Sequence, residues 1–188
     1  MRDLAIVFAR APRLGTVKRR LARDIGDRAA LRFHTTMLTS LVRRLARDRR
    51  FDTIVALTPD RAHVRLPAPI IPQGRGDLGQ RMLRALGRAR RAVLVGCDIP
   101  GITANDIATA LHALGRADAV FGPAQDGGYW LVGLGPRRPA TPFAAVRWST
   151  EHALADTIAN FPRHRTARLR TLRDVDTVAD LKAQGGHR

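Results

Sequence analysis

The chain has 188 residues, of which 45% are hydrophobic, and it carries a formal net charge of +17 at pH 7. A chain of this length and composition can build a core without disulfides, so intrinsic disorder, collagen-like repeats and a disulfide scaffold are excluded. Only two of its 33 basic residues are Lys, which weakens a nucleic-acid-binding interpretation, because a surface selected for phosphate charge has no reason to avoid Lys.

The first predicted elements are a strand, a loop and a long helix. Residues 4–9 form a short apolar run, which is typical of a strand buried on both faces. A loop with Pro12 and Gly15 follows, and residues 18–22 begin a helical turn. From residue 27 to 47, apolar residues recur at helical spacing with Arg on the other face, which predicts an amphipathic helix.

The remaining chain alternates between strand and helix patterns. We predict strands at residues 53–57, 70–71, 92–97, 119–121, 130–134 and near 169, and helices at 78–89, 105–114, 151–160 and 178–183. Thr103 is the expected N-cap of the helix at 105–114. This alternation predicts an α/β sandwich with a mostly parallel sheet flanked by helices. Since we find no linker, we expect a single domain over residues 1–188.

Membrane, secretion and zinc signals are weak in this sequence. No apolar run approaches the roughly 20 residues that cross a bilayer, and no signal-peptide pattern is present. Together with the single cysteine, Cys97, this favours a cytoplasmic protein without a membrane partner. We expect Cys97, in the predicted strand 92–97, to be inert packing. The six His are scattered without metal-ligand spacing, which argues against a zinc site.

Candidate functional residues are those that directly follow strands, because ligands bind beyond the carboxyl ends of strands in open α/β sheets. After the first strand, Gly15 allows close backbone approach, and Lys18 and Arg20 are cations that can neutralise phosphate. The spacing is neither a Walker loop nor a Gly-x-Gly-x-x-Gly turn. An ordinary basic turn is the alternative interpretation.

Carboxylates at two further places are candidate metal ligands. Asp98 follows an apolar strand, where a lone carboxylate suits Mg²⁺, which takes one or two protein carboxylates plus substrate phosphates. A helix-capping or loop aspartate is the alternative. Asp174 and Asp176 point the same way in an extended segment, so that both can reach one ion. Asp176 or Thr177 as the N-cap of the last helix is an equal alternative.

Two other segments combine glycines, aromatic rings and hydroxyl groups. Residues 126–129, Asp-Gly-Gly-Tyr, form either a tight turn or a place where a substrate approaches the backbone closely. Residues 148–150, Trp-Ser-Thr, precede the helix at 151–160, with Glu151 in its first turn. For this second segment, a core aromatic residue followed by an N-cap is the alternative interpretation.

Taken together, these motifs resemble a family of bacterial glycosyltransferase-like proteins. The segments are Phe-Ala-Arg-Ala-Pro at 8–12, Gly-Thr-Val-Lys-Arg-Arg-Leu-Ala at 15–22, Gly-Asp-Leu-Gly-Gln-Arg-Met at 76–82, Gly-Cys-Asp-Ile-Pro-Gly at 96–101, Gly-Pro-Ala-Gln-Asp-Gly-Gly-Tyr at 122–129, Trp-Ser-Thr at 148–150 and Asp-Val-Asp-Thr at 174–177. That family, labelled arsenosugar-biosynthesis glycosyltransferases, belongs to the nucleotide-diphospho-sugar transferase superfamily. The chain is also similar to phospholactate guanylyltransferases.

The resemblance implies a GT-A-type Rossmann-like domain that binds a nucleotide and a divalent metal, Mg²⁺ or Mn²⁺. It implies a catalytic role for Lys18, Arg20 and Asp98, and metal binding by Asp98, Asp174 and Asp176. The implied nucleotide contacts are Ala9, Arg10, Gly15, Lys18, Arg20, Gly76, Asp77 and Gly79. The implied acceptor contacts are Asp126, Gly127, Gly128, Tyr129, Trp148, Ser149 and Thr150. One departure is Arg19, where the family usually has Thr, so a hydroxyl contact to phosphate is in question.

Three functions remain open at this point. The first is a metal-dependent nucleotidyltransferase that uses an NTP and a small phosphorylated or sugar acceptor. This function is favoured because the segment around Asp98 lacks the Asp-x-Asp motif of many glycosyltransferases. The second is a glycosyltransferase with an NDP-sugar donor. The third is a nucleic-acid-binding module. The sequence gives it little support, because few aromatic residues lie near the Arg stretches where they could stack on bases. The expected partners are therefore a nucleotide and a small acceptor, without specific nucleic acid, and a homodimer stays open.

Overall fold

The computed structural model describes residues 2–173, which form seven strands and five helices. The strands are β1 (Leu4–Arg10), β2 (Asp52–Thr58), β3 (Ile70–Pro72), β4 (Ala92–Gly96), β5 (Ala119–Pro123), β6 (Tyr129–Leu134) and β7 (Thr166–Arg168). The helices are α1 (Arg19–Ile25), α2 (Asp27–Ala46), α3 (Leu78–Leu86), α4 (Ala104–Ala113) and α5 (Ala153–Ala159). None of these helices is long and apolar enough to cross a membrane.

All seven described strands belong to one sheet in the order β3-β2-β1-β4-β6-β5-β7. β1 pairs in parallel with β2 and β4, and β2 pairs in parallel with β3. β6 runs antiparallel to both neighbours, β4 and β5, whereas β7 is parallel to β5. The predicted α/β class with a mostly parallel sheet is confirmed. β6 is the exception because the turn at residues 124–128 is too short for a crossover connection.

The central strands are buried on both faces of the sheet. Val7 and Val95 point toward α2 and α4, whereas Ile6 and Leu94 point toward α3 and α5. Each of these four side chains is at most 5% exposed. A strand covered by helices on both sides has no polar face, which explains the unbroken apolar run at residues 4–9.

Two predicted elements end earlier than expected. α3 stops at Leu86 instead of residue 89: Gly87 is its C-cap, and the next amide, that of Arg88, donates to the carbonyl of Ala85 only three residues back, which ends the α-helical pattern. β4 stops at Gly96, so Cys97 is not part of the strand. Cys97 and Asp98 therefore lie just beyond the end of β4, at the edge of the sheet.

The two helices that follow candidate segments begin differently. Thr103 is the N-cap of α4, as predicted, and forms a capping box with Asp106. The helix predicted near residues 151–160 is present as α5, which has His152 as its N-cap and starts at Ala153, two residues later than expected. Thr150 instead accepts from the His152 amide at 3.3 Å and donates to the carbonyl of Arg147 at 2.8 Å. The segment 148–150 therefore forms a turn, and it does not cap the helix.

β1 and β4 are parallel neighbours whose carboxyl ends open at the same edge of the sheet. From β1 the chain continues to β2 on one side, while β4 lies on the other side, so the order of strands reverses at this pair. Loops diverge at such a reversal and leave a crevice for ligands. The loop after β1 carries Lys18 and the loop after β4 carries Asp98. The topology therefore brings together two predicted site residues that are distant in sequence.

Candidate functional site

The loop after β1 holds Lys18 against Asp98. Gly15 and Lys18 both have left-handed backbone conformations, with φ of 71° and 48°. The Lys18 side chain is only 5% exposed, and its Nζ lies 3.3 Å from Oδ2 of Asp98. A non-glycine residue in this backbone region costs about 1–3 kcal/mol and persists where the surroundings enforce it, often at functional sites. The fold therefore fixes an ammonium group at the mouth of the crevice.

Asp98 presents a carboxylate to the crevice with 44% of its side chain exposed. Burial of the remainder raises the pKa of Asp98, but the neighbouring His34 ring and the Lys18 ammonium outweigh burial and lower it below the ordinary value. The group is therefore ionised at neutral pH. Since Thr103 caps the next helix, the helix-capping alternative for Asp98 is excluded.

Two side chains beside Asp98 were not predicted as site residues. Nδ1 of His34, on α2, lies 3.7 Å from Oδ1 of Asp98. Sγ of Cys97 lies 3.5 Å from the same oxygen, and burial raises the pKa of the thiol, so it stays protonated and donates to the carboxylate. One potential ligand atom from each of the three residues lies within 4.8 Å of the others. Cys97 is buried as expected, but it also contacts the site.

A cleft of about 640 Å³ opens between these two loops. Of the residues expected to contact a nucleotide, it is lined by Ala9, Arg10, Lys18 and Arg20. Gly15, Gly76, Asp77 and Gly79 do not line it. Arg19, Arg81 and His34 contribute to the wall although they were not predicted to do so. The cleft therefore concentrates cationic side chains around the carboxylate of Asp98.

The segment at 76–82 positions α3 and presents few groups directly to the cleft. The Asp77 carboxylate accepts a hydrogen bond from the backbone amide of Gln80 at 2.8 Å. The side-chain oxygen of Gln80 accepts one from the backbone amide of Asp77 at 3.2 Å, which completes a capping box. A Cβ at Gly79 would lie 2.7 Å from Cβ of Phe143, so only glycine allows this packing. The motif thereby orients α3 so that Arg81 reaches the cleft.

Gln73 is a buried polar residue that sequence reasoning missed. Its Nε2 donates to the carbonyls of Ala9 and Ala56, both at 3.0 Å, and its Oε1 accepts from Nη1 of Arg81 at 2.9 Å. It is 2% exposed, and each side-chain polar atom has a partner. Gln73 therefore ties the ends of β1 and β2 together and orients Arg81. Its position directly after β3 was the available signal.

A second pocket of about 240 Å³ adjoins the cleft and shares Phe8, Leu78 and Gly96 with it. Of the expected acceptor contacts, its wall contains Asp126, Gly128, Tyr129, Trp148, Ser149 and Thr150. Most of the remaining wall is apolar, and no Lys or Arg among residues 2–173 lines it. The two cavities therefore differ sharply in charge although they are continuous.

The turn before β6 shapes one side of this second pocket. Asp126 accepts from the Gly128 amide at 2.9 Å. Gly127, with φ of 83°, lies outside the wall and packs on Glu151, where a Cβ would come within 2.6 Å of the backbone. Burial raises the pKa of Tyr129, whose side chain remains a neutral phenol at physiological pH. The turn therefore offers a carboxylate, amides and an aromatic hydroxyl to the pocket.

The opposite side of the pocket is held in place by an ion pair. Asp156 accepts hydrogen bonds from the backbone amide, Nε and Nη2 of Arg147 at 3.0, 2.9 and 2.8 Å. Trp148 and Ser149 follow directly, and Ser149 has a left-handed backbone with φ of 61°. The side-chain and backbone hydrogen bonds from Arg147 lower the pKa of Asp156 to about 2. The carboxylate of Asp156 thereby anchors the segment that carries the pocket's indole ring.

We expect Asp156→Asn to lower the Tm at pH 7, with an effect that fades in acid. The folded pKa of about 2 lies below the unfolded value of about 3.9. The contribution is therefore present above about pH 4 and is lost as the pH falls toward the folded pKa. Circular dichroism melts of the wild type and of Asp156→Asn between pH 7 and pH 2 measure the difference in Tm at each pH. A difference in Tm that stays constant with pH would contradict this electrostatic origin. So would an equal loss of Tm in Asp52→Asn, which removes the exposed ion pair with Arg2.

Asp174 and Asp176, the other predicted metal ligands, lie outside the described residues, as does the predicted helix at 178–183. The described chain approaches the site at Leu172, whose amide donates to the carbonyl of Pro123 at 3.0 Å and whose carbonyl accepts from the Gln125 amide at 3.1 Å. The metal-binding role of both carboxylates stays a prediction.

The sequence matches one protein family. The profile described as "Uncharacterized protein conserved in bacteria (DUF2064)" covers residues 41–150, more than half of the chain. This range includes β2 to β6 and the Asp98 loop. A comparison with curated proteins gives no match.

Solved structures share the fold over nearly the whole chain. A protein from Desulfovibrio desulfuricans G20, assigned as a nucleotide-diphospho-sugar transferase, is 29% identical with a TM-score of 0.87, covering 97% of this chain and 85% of that chain. Rv0371c from Mycobacterium tuberculosis H37Rv in complex with manganese is 18% identical, with a TM-score of 0.54 and 97% coverage of both chains. CMP:2-keto-3-deoxy-manno-octonic acid synthetase complexed with CTP is 12% identical, with a TM-score of 0.58, covering 98% of this chain and 97% of that chain.

Proposed function

Since the chain belongs to the DUF2064 family and has the fold of a nucleotide-diphospho-sugar transferase, we propose that it is a metal-dependent transferase acting on a nucleotide-activated substrate. One observation carries this proposal: the cationic cleft adjoins a pocket that no Lys or Arg among residues 2–173 lines, and the two cavities share Gly96, two residues before Asp98. Two substrates bound in these cavities would present their reacting groups to the same carboxylate. This is the geometry that a two-substrate transfer requires.

The cleft is suited to the polyphosphate of a nucleotide. Lys18, Arg19, Arg20 and Arg81 line it together. Lys18 carries the positive charge nearest Asp98, with its ammonium fixed by burial and by the carboxylate. Preorganised cations of this kind stabilise charge that develops on a transferring phosphoryl group without further rearrangement. In this proposal Lys18 contacts the phosphates directly, and Arg20 and Arg81 neutralise the outer oxygens.

Asp98 fits a divalent metal because its ionised carboxylate faces the cleft and is not used as a helix cap. Asp174 and Asp176 are the further ligands proposed from the family resemblance. A bound divalent ion would act as a Lewis acid on the phosphate oxygens. The manganese complex of the similarly folded Rv0371c supports the use of a divalent ion in this fold.

Nucleotidyl transfer is the favoured reaction. An oxygen of the acceptor attacks the α-phosphorus of the NTP, and the bond from that phosphorus to the β-phosphate oxygen breaks. Pyrophosphate leaves with the electron pair, and a hydroxyl acceptor releases its proton to water. The residues position the groups and neutralise charge, so no covalent nucleophile is needed. The CTP complex of a protein with the same fold supports this choice, as does the absence of Asp-x-Asp around Asp98.

The second pocket favours a neutral, hydroxyl-bearing acceptor over a phosphorylated acid. Its wall combines the Trp148 indole and the Tyr129 ring with the Asp126 carboxylate, and no described Lys or Arg reaches it. A phosphate or carboxylate placed there would be desolvated without a counter-charge. Aromatic rings with one or two polar groups instead match the apolar face and hydroxyls of a sugar.

Glycosyl transfer from an NDP-sugar is the second candidate. The same pocket, which no described Lys or Arg lines and which adjoins the phosphate cleft, accommodates a donor sugar as well as an acceptor sugar. The resemblance to arsenosugar-biosynthesis glycosyltransferases favours this candidate, whereas the likeness to phospholactate guanylyltransferases favours the first. Both candidates use Lys18 and Asp98 in the same way, and they differ in the bond that breaks.

Product analysis separates the two candidates. The purified protein, with Mg²⁺ or Mn²⁺, is incubated with each NTP plus a panel of neutral sugars, and separately with NDP-sugars. Pyrophosphate release that depends on the sugar supports nucleotidyl transfer, and NDP release supports glycosyl transfer. A thermal-shift screen supplies binding evidence, since a ligand at 100 times its Kd stabilises by about 2.7 kcal/mol. No product and no stabilisation by any nucleotide would contradict both candidates.

A further inference from the structure

A hydrogen bond defines the tautomer of the neutral His34 ring. Its Nε2 lies 3.0 Å from the carbonyl oxygen of Arg10. A carbonyl only accepts hydrogen bonds, so Nε2 carries a proton and donates. In the neutral ring, Nδ1 then bears the lone pair, and this atom faces Oδ1 of Asp98 at 3.7 Å. The His34 side chain is only 4% exposed, and its buried Nδ1 has no hydrogen-bond partner.

When the ring is neutral, this arrangement places two electron-pair donors opposite each other, and the ring lowers the pKa of Asp98 only when a proton or a metal ion lies on Nδ1. A carboxylate oxygen and an imidazole lone pair repel unless a cation lies between them, and a buried polar atom without a partner costs free energy. Two metal bonds of about 2.1 Å each span up to about 4.2 Å, so one ion can reach both atoms at their present separation. The distance between Nδ1 and Oδ1 therefore suits a shared metal ion.

We propose that His34 Nδ1 and Asp98 Oδ1 together bind the divalent ion, and that this nitrogen ligand selects a first-row transition metal over Mg²⁺. The identity of the ion as the transferase's metal rests on the proposed function. Mg²⁺ prefers oxygen ligands in octahedral geometry, whereas imidazole nitrogen is a common ligand of transition metals.

The surroundings of His34 match those of a metal-ligating histidine. Such residues almost always donate their other ring N–H to a carbonyl or carboxylate, which fixes the tautomer and the ring orientation. Here Nε2 donates to the carbonyl of Arg10 at the end of β1. The Cys97 thiol donates to Oδ1 of Asp98 and so orients the second ligand. Lys18 contacts Oδ2, the other oxygen, which leaves Oδ1 directed toward His34.

Pulsed electron paramagnetic resonance of the Mn²⁺-loaded, full-length protein tests the ligand directly, without any nucleotide. We expect a ¹⁴N coupling from a coordinated imidazole in the wild type and its loss in His34→Gln, whose amide can still donate to the Arg10 carbonyl. Titration of Mn²⁺ should show affinity weakened by about 10–100-fold in this variant. The Mg²⁺ affinity, measured by competition with Mn²⁺, should change by a clearly smaller factor.

His164→Gln is the matched control. His164 also has a buried Nδ1 without a hydrogen-bond partner, but its ring packs on Phe161 at 5.7 Å, directly before β7. This variant should keep the ¹⁴N coupling and the Mn²⁺ affinity. Circular dichroism of each variant reports its folding, and the wild-type spectrum decides the question even where a variant does not fold.

Three results would overturn the inference: no Mn²⁺ binding, no ¹⁴N coupling in the wild type, or unchanged Mn²⁺ affinity in folded His34→Gln. The last result would mean that His34 is not a metal ligand. Failure of the proposed function looks different, since the coupling would be present while no NTP or NDP-sugar is consumed. Turnover without the coupling would remove only the His34 ligand.

Discussion

Replacing Asp98 by Asn is expected to lower the transfer rate by about 10²–10³-fold and to abolish the rise in Tm that a divalent metal produces. The carboxylate is ionised, faces the cleft and contacts Lys18 through Oδ2. Asparagine keeps the size of the side chain but removes the charge that holds a metal ion and orients the ammonium. Turnover with saturating nucleotide and thermal melts with and without Mn²⁺ measure the two effects.

Asp52→Asn is the matched control for this substitution. Asp52 is the first residue of β2, at the end of that strand away from the cleft, and it forms an exposed ion pair with Arg2 at 3.0 Å. Exposed pairs contribute about 0–1 kcal/mol, so this variant should keep both turnover and the metal-dependent shift. An Asp98→Asn protein that is folded and still shows the full metal-dependent shift removes Asp98 from the metal site.

The position of Asp98 could be predicted because it depends on short-range patterns. An apolar run predicts a buried strand, and a carboxylate just after such a strand must lie at the sheet edge. Lys18 follows from the same argument applied to β1. The contact between Lys18 and Asp98 could not be derived this way, since it depends on β1 and β4 being neighbours in the sheet. Strand order is a long-range property that local periodicity does not determine.

His34 and Gln73 were missed for related reasons. His34 occupies a buried position of α2, in line with Ala30 and Leu38, where the helical pattern predicts an apolar residue. A histidine on that stripe was a usable signal, but its contact with Asp98 depends on how α2 packs across the sheet. Gln73 lies in a loop that has no periodicity, and its two carbonyl partners come from β1 and β2.

The antiparallel β6 shows where pattern and topology separate. Its apolar residues are indistinguishable from those of a parallel strand, because β6 is also buried on both faces. Only the short turn at 124–128 distinguishes the two directions. Its consequence for the site is large: the reversed direction places Tyr129, at the start of β6, at the edge where β4 ends.

Replacing Lys18 by Met is expected to lower kcat/KM for the nucleotide by about 10²–10³-fold. The Nζ of Lys18 lies at the junction of the phosphate cleft and Asp98, and the buried methylene chain fixes its position. Methionine fills a similar volume without the charge, so the loss would reflect electrostatics. Lys18→Arg should restore little activity, because a planar guanidinium does not fit a site shaped for a compact ammonium. Steady-state kinetics with varied nucleotide measures both variants.

Arg116→Met separates this local effect from the large net charge of the protein. Arg116 is an exposed residue in the turn before β5, away from the walls of both cavities. Both substitutions reduce the net charge by one, so equal losses would mean that the general positive field of the +17 chain attracts the nucleotide. We expect Arg116→Met to keep wild-type kinetics at about 0.15 M salt, where a Debye length of about 8 Å screens distant charges. The loss in Lys18→Met should persist there, since a direct contact with phosphate is screened far less.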